Sequence, residues 1–372
     1  MQPQGPFIVR RGAIRCYRLF DLGDEIDLSD AVLKFGSASL RLTHLQRRGV
    51  RAMEPIAVPA RIDLGPRGVP LGTLGPHVQA GAELHLFSYG TVALCYKIPI
   101  GEGTPLDGLV ATVGPLYESS ELRDLALREL DALSPTLRSC IRGHHDWSGC
   151  ETYTIVHIQE LDGQPTADQV LAWPGLAALL LGEASPSPLS ERQRQEVLQY
   201  AFSYFEHDLA VIDWNSAFLV DPGEESGMAE MLEFANSQLL NLRYHDEQLE
   251  AEIERVHQAL ARRRSPGVLF SPYSRLAHDL FRRLMDLSAR VERIDNTIKV
   301  AGTFHLSRAY HAAIERLRVS IWRQSIERKH ALAASAYSML KSETETRRGM
   351  WLEITVVILI MVEIVIAVIN GH

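Results

Sequence analysis

The chain has 372 residues, a formal net charge of −8, 46% hydrophobic and 23% charged residues. These values exclude a collagen, a disulfide-rich secreted scaffold, a wholly disordered chain and a polytopic membrane protein, and the length suggests about two domains. They leave room for one membrane span, because twenty residues barely move an average over the whole chain.

The first residues, MQPQGPFIVRRG, contain no apolar stretch of the kind a secretory signal needs, so the bulk of the chain is expected in the cytoplasm. Cys16, Cys95, Cys140 and Cys150 fall at no metal-ligand spacing and read as free thiols. Residues 1–222 read as a mixed α/β domain. Pro55 to Gly81 is rich in Pro and Gly and reads as a loop. Leu84 to Ile100 is rich in β-branched and aromatic residues around Tyr89-Gly90, which predicts strand, tight turn and strand. Ser119 to Leu133 predicts a helix ending before Pro135. Thr152 to Leu161 alternates apolar and polar residues as a strand does. Leu189 to His207 predicts a helix with Ser190 as its N-cap. Leu209 to Val220 predicts two short strands about a turn at Asp213 to Ser216.

Beyond Glu224 the pattern becomes helical, and residues 223–348 read as an antiparallel coiled-coil stalk. Leu232, Ala235, Leu239, Leu242, Asp246, Leu249, Ile253, Val256 and Leu260 form a seam at alternating spacings of three and four, with Asp246 its single polar member. A second seam runs from Ala277 to Ala301. A third helix carries Tyr310, Ile314, Leu317 and Ile321 and meets no strong breaker before Gly349. Such seams imply a homo-oligomer or an internal bundle. Residues 262–348 hold 18 Lys or Arg against 8 Asp or Glu, so the rest of the chain carries −18. Arg282, Arg283, Arg290, Arg293, Arg316, Arg318, Arg323, Arg347 and Arg348 are candidate contacts for lipid headgroups or RNA phosphates. Met350 to Ile369 is apolar except for Glu353 and Glu363. It predicts a single transmembrane helix over 350–369, with the basic flank in the cytoplasm. Glu353 and Glu363 would then meet other spans of an oligomer, or the bilayer surface.

The search for chemistry yields little. No P-loop, dinucleotide fingerprint, nucleophile elbow or zinc-protease helix is present. Cys140, His144, His145, Asp146 and Cys150 could form a metal site or a polar surface loop. Glu206, His207, Asp208 and Asp213 could support acid–base chemistry or simply end a helix and a turn. No catalytic residue, cofactor, metal or small-molecule substrate is identified.

Arg347-Arg348, then Trp351-Leu352-Glu353-Ile354, then the apolar run to Val362-Glu363-Ile364, resemble the end of the "required for meiotic nuclear division" (RMD1-type) family. Phe87 to Val92, Asn241 to Tyr244 and Arg290-Val291-Glu292 are softer matches. The resemblance implies a membrane-anchored oligomer without known enzymatic activity. Its eukaryotic relatives support organellar translation, so it also implies a protein, ribosome or RNA partner. Without a transit peptide, a bacterial inner-membrane protein is expected. The combined expectation is an α+β protein: a non-enzymatic, membrane-tethered, oligomeric scaffold presenting an α/β domain to a cytosolic partner. The alternatives are an enzyme with an unrecognised site in that domain, or a CorA-like ion transport component.

Overall fold

A computed structural model describes residues 7–36, 59–70, 78–184, 189–223, 227–261 and 304–370. Its contacts divide the chain into two compact units. One holds the described parts of 1–244 and 292–322, and the other those of 245–291 and 323–372.

The first unit is built on a nine-stranded mixed sheet in the order β3-β4-β5-β1-β8-β11-β10-β9. Its strands are β1 (Ile8–Asp21), β3 (Ala60–Val69), β4 (Val78–Leu86), β5 (Thr91–Ile100), β8 (Cys150–Leu161), β9 (Ala201–Phe202), β10 (Leu209–Ile212) and β11 (Ser216–Val220), with β6 (Thr104–Pro105) beside β1. Neighbours are antiparallel except β8 and β11. The short strands β2 (Glu25–Ile26) and β7 (Ile141–Arg142) pair separately.

Side chains alternate across the sheet. On one face Ile14, Cys16 and Phe20 of β1 join Leu94, Tyr96 and Ile98 of β5 and Val156 and Ile158 of β8 in the core. Helices α1 (Leu28–Phe35), α2 (Leu106–Tyr117), α3 (Ser120–Arg138), α4 (Ala167–Leu171), α5 (Gly175–Leu181) and α6 (Glu191–Val197) pack their apolar side chains into that core. The Ser119 hydroxyl caps α3 by accepting from the Leu122 amide, and Leu122, Ala126, Leu130 and Leu137 are its buried stripe. Arg18 also lies on this face and is fully buried. Its guanidinium donates to the carbonyls of Tyr17 and Leu116, so it caps the C-terminal end of α2, where the helix dipole is negative.

Several expectations are met and others are corrected. The Tyr89-Gly90 turn joins β4 to β5, and the predicted strands appear as β8, β10 and β11. The supposed loop at Pro55 to Gly81 contains β3 and the start of β4, because a bulge at Gly65 (φ 76°) lets a Gly- and Pro-bearing strand keep its pairing. Helix α3 continues through Pro135 to Arg138. The helix predicted over 189–207 stops at Val197 and gives way to a 3-10 turn and β9.

The long helices are α7 (Gly227–Ala261), α8 (Phe304–Arg316) and α9 (Val319–Asn370). Arg318 adopts φ 55° between α8 and α9, so the third helix is broken there, while Gly349 leaves α9 intact. In an antiparallel stalk of three consecutive helices the first and the third run parallel to each other, and α7 and α9 are those two. Arg243 lies over Trp322, Asp246 accepts from Ser325 at 2.8 Å, and Glu250 accepts from Lys329 at 2.8 Å. Residue numbers rise together along both helices at one constant offset, so α7 and α9 run parallel. Lys329 also bonds Asp246 at 2.9 Å, which pairs the one polar residue of the seam and fixes its register. Burial opposes the Lys329 charge, but bonds from Glu250 and Asp246 outweigh it and raise its pKa. The second seam, Ala277 to Ala301, lies outside the described residues.

Among the described residues no helix is long and apolar enough to cross a membrane, which corrects the expected transmembrane helix over 350–369. Glu353 and Glu363 divide the run. The uninterrupted apolar stretch between them, Ile354 to Val362, rises only about 14 Å, less than half of a hydrocarbon core. The expectation of a single-pass inner-membrane protein falls with it.

Candidate functional site

The opposite face of the sheet is polar and buried. Arg15, Tyr17 and Asp21 of β1, Arg61 of β3, His85 of β4 and His157 of β8 are all buried there, with Glu83 and Lys97 beside them. The first part of α7 contributes Glu230, Glu233, Ser237 and Asn241 at spacings of three and four, which places them on one helical stripe.

The contacts are specific. His85 Nδ1 lies 2.5 Å from Glu233 Oε1 and its Nε2 lies 3.1 Å from Glu83 Oε2. Both ring nitrogens face carboxylates, which favours the imidazolium. Burial disfavours that charge, yet Glu233 and then Glu83 prevail and the His85 pKa rises. Lys97 donates to Glu83 at 2.6 Å, and Arg61 pairs with Glu230 at 3.0 Å. Desolvation opposes the Glu83 charge, but His85 and Lys97 together hold its carboxyl well below the usual range. His157 differs. Its Nδ1 accepts from Arg15 at 3.2 Å and its Nε2–H donates to the Asp221 carbonyl at 3.0 Å. Burial and then the Arg15 charge push its pKa down to about 4, so it is neutral.

A second group lies at the Asp21 end of β1. Asp21 Oδ2 accepts from Asn241 at 3.0 Å, and His145 Nε2 stands 3.0 Å from Asp21 Oδ1. The His145 ring stacks on Tyr244 with centroids 4.2 Å apart, and both of its ring nitrogens are buried without a hydrogen-bond partner. The Tyr89 hydroxyl donates to Ser237 Oγ at 2.5 Å, and the Ser237 hydroxyl in turn donates to the Phe234 carbonyl.

The expected site residues are scattered by comparison. Arg316 pairs with buried Asp213 and covers the Tyr200 ring. Arg318 is exposed at the helix break, Arg323 is half-buried, and Glu353 and Glu363 are exposed on α9. Arg347 and Arg348 lie within α9. Arg282, Arg283, Arg290 and Arg293 lie outside the described residues. Among the described residues no group of His, Cys, Asp and Glu is placed to hold a metal. Cys140 is buried and donates to the Thr136 carbonyl, while His145 turns to Asp21. Asp208 accepts from the amides of Tyr204 and Phe205 and so shapes a loop, while Asp213 anchors α8. In the sequence the apolar seam of α7 dominates, and its polar stripe runs beside it. The signal was there: Glu230, Glu233, Ser237 and Asn241 keep helical spacing as strictly as the leucines do.

The family model "Uncharacterized protein MJ0711, N-terminal domain" matches residues 11–226, more than half of the chain. The chain belongs to this family. It is 25% identical over 178 residues to "Uncharacterized protein MJ0711" of Methanocaldococcus jannaschii, covering 48% of this chain and 54% of that protein. The chain therefore spans about half the length of the curated relative it matches. No solved structure matches. The resemblance to the meiotic nuclear division family is thus corrected. The match lies in the N-terminal sheet domain, and the C-terminal signature was an apolar helix with two acidic residues, a pattern that unrelated helices share.

Proposed function

We propose that the chain is an oligomeric, non-enzymatic scaffold whose copies assemble through α9 and whose family domain serves a partner. The supporting observation is α9 itself. Twelve large apolar side chains between Leu332 and Ile366 are 45% exposed or more in the single chain. From Val356 to Val362 they follow one another without a gap and so point to every side of the helix. Covering all sides needs several neighbours, which identical helices of further copies provide. At on the order of 100 Å² per aliphatic side chain, twelve half-exposed residues offer about 600 Å² per chain, close to the about 800 Å² per partner of a stable interface. Sedimentation equilibrium of the full chain tests this. A multimer is expected, converted to smaller species by Ile358→Glu with Met361→Glu. A native monomer overturns the reading.

One observation favours a second reading, an enzyme. His145 stands 3.0 Å from Asp21 with both ring nitrogens buried and without a hydrogen-bond partner, so a potential proton acceptor is held beside a carboxylate. A hydrolase screen with His145→Gln as control tests it, and turnover that survives the substitution counts against it.

A further inference from the structure

The polar sheet face is an expensive way to seat a helix. Buried ion pairs often stabilise no better than apolar residues of equal volume, and the other face of the same sheet shows the apolar solution in use. The charges are also unevenly supplied. Around His85, strands β1, β3, β4 and β5 bring Arg15, Arg61, His85 and Lys97 against one strand carboxylate, half-buried Glu83, while the other strand carboxylates of this face, Asp21 and Glu151, stand at its far end with Asn241 and Arg243 of α7. Asp63, further along β3, is exposed and holds its own bulge through the Gly65 amide. With His85 as the imidazolium, the strands alone carry three positive charges in excess in the group around it. Glu230 and Glu233 of α7 reduce that to one.

The family match sharpens the division. All four cations lie within residues 11–226, and α7 begins at Gly227, just past its end. The cations thus belong to the family domain, and the two carboxylates that neutralise them come from the helix that follows. Guanidinium forks and an imidazolium on neighbouring strands suit the oxygens of a phosphate, for which a carboxylate is a smaller anionic substitute.

We propose that this sheet face is a binding site for a phosphate-bearing ligand, and that Glu230 and Glu233 occupy it as internal stand-ins until the ligand displaces the first part of α7. The inference goes beyond the scaffold reading and does not need it. Apparent affinity is reduced by the fraction of chains in which the helix is closed, so weakening the stand-ins must strengthen binding.

The test is calorimetric titration of the full chain with inorganic pyrophosphate and, separately, with ATP in the absence of divalent cations. The Glu230→Gln, Glu233→Gln chain is expected to bind at least tenfold more tightly than the native chain, and adding Arg61→Gln should abolish the gain. Equal affinity for both anions assigns the site to phosphate alone, and tenfold tighter ATP binding assigns it to a nucleotide. Should the double variant fail to fold, hydrogen exchange on the native chain decides. Saturating ligand should speed exchange of the amides of residues 230–241 by tenfold or more. Affinity unchanged by the two glutamine substitutions, or exchange unchanged by ligand, overturns the proposal.

Discussion

His157 provides the most quantitative test of the buried polar face. It accepts from Arg15 and donates to Asp221, so the neutral ring fits and the charged ring does not. Its folded pKa of about 4 lies below the ordinary 6.5, first through burial and then through the Arg15 charge. The unfolded chain therefore takes up this proton first. The stability the neutral ring contributes is present above the unfolded value and is lost as pH falls from about 6.5 towards about 4. Linkage with these two values gives a loss of about 2 kcal/mol between about pH 7 and about pH 5. His157→Gln retains a donor and an acceptor but does not titrate. Urea unfolding at a series of pH values should show the native chain losing about 2 kcal/mol more than the variant over that range. Identical slopes for the two proteins would refute the burial and tautomer assigned to His157.

His85 should show the opposite sign. Its folded pKa is raised by Glu233 and Glu83 against the cost of burial, so its contribution is present below the ordinary 6.5 and is lost as pH rises through the folded value. In the same unfolding series, His85→Gln should flatten the alkaline side of the profile. In the α7–α9 seam, Lys329→Met alone leaves the Asp246 charge with only the Ser325 hydroxyl and should cost about 1–3 kcal/mol, whereas Asp246→Leu with Lys329→Leu should recover most of that loss by thermal unfolding. Gly90 has φ 93°, and an added Cβ would lie 1.7 Å from the Gly23 carbonyl oxygen. Gly90→Ala should therefore cost more than about 1 kcal/mol, read as a lowered Tm.

Legibility in the sequence followed how local the causes were. The β4–β5 hairpin, β8 and the β10–β11 pair announce themselves through β-branched runs and a glycine turn. Strand β1 does not, although it is the longest and most central. It carries Arg15 on one face and Arg18 on the other, and each is satisfied far away, by His157 and by the Leu116 carbonyl. A strand with arginine on both faces has no readable period. Strand β3 is masked by Gly65 and Pro66, which a bulge accommodates. The α7 seam was legible, and so was the oddity of Asp246. The partner of Asp246 was not, because Lys329 lies 83 residues further along the chain and no local pattern joins the two. The candidate site was the least legible part. Charged residues on strands usually mean a solvated face, and only the tertiary structure shows that α7 covers this one.

The scaffold reading turns on whether copies of the chain meet along α9. Met339 is 58% exposed on that helix, while Cys16, Cys95 and Cys140 are buried and Cys150 is half-buried, so a spin label on Met339→Cys reports this position. Pulsed dipolar spectroscopy on the full chain carrying that single label should give a defined distance between copies of a few nanometres, which disappears on dilution with unlabelled chain. A signal that decays as for isolated spins, with the chain folded, would contradict the account.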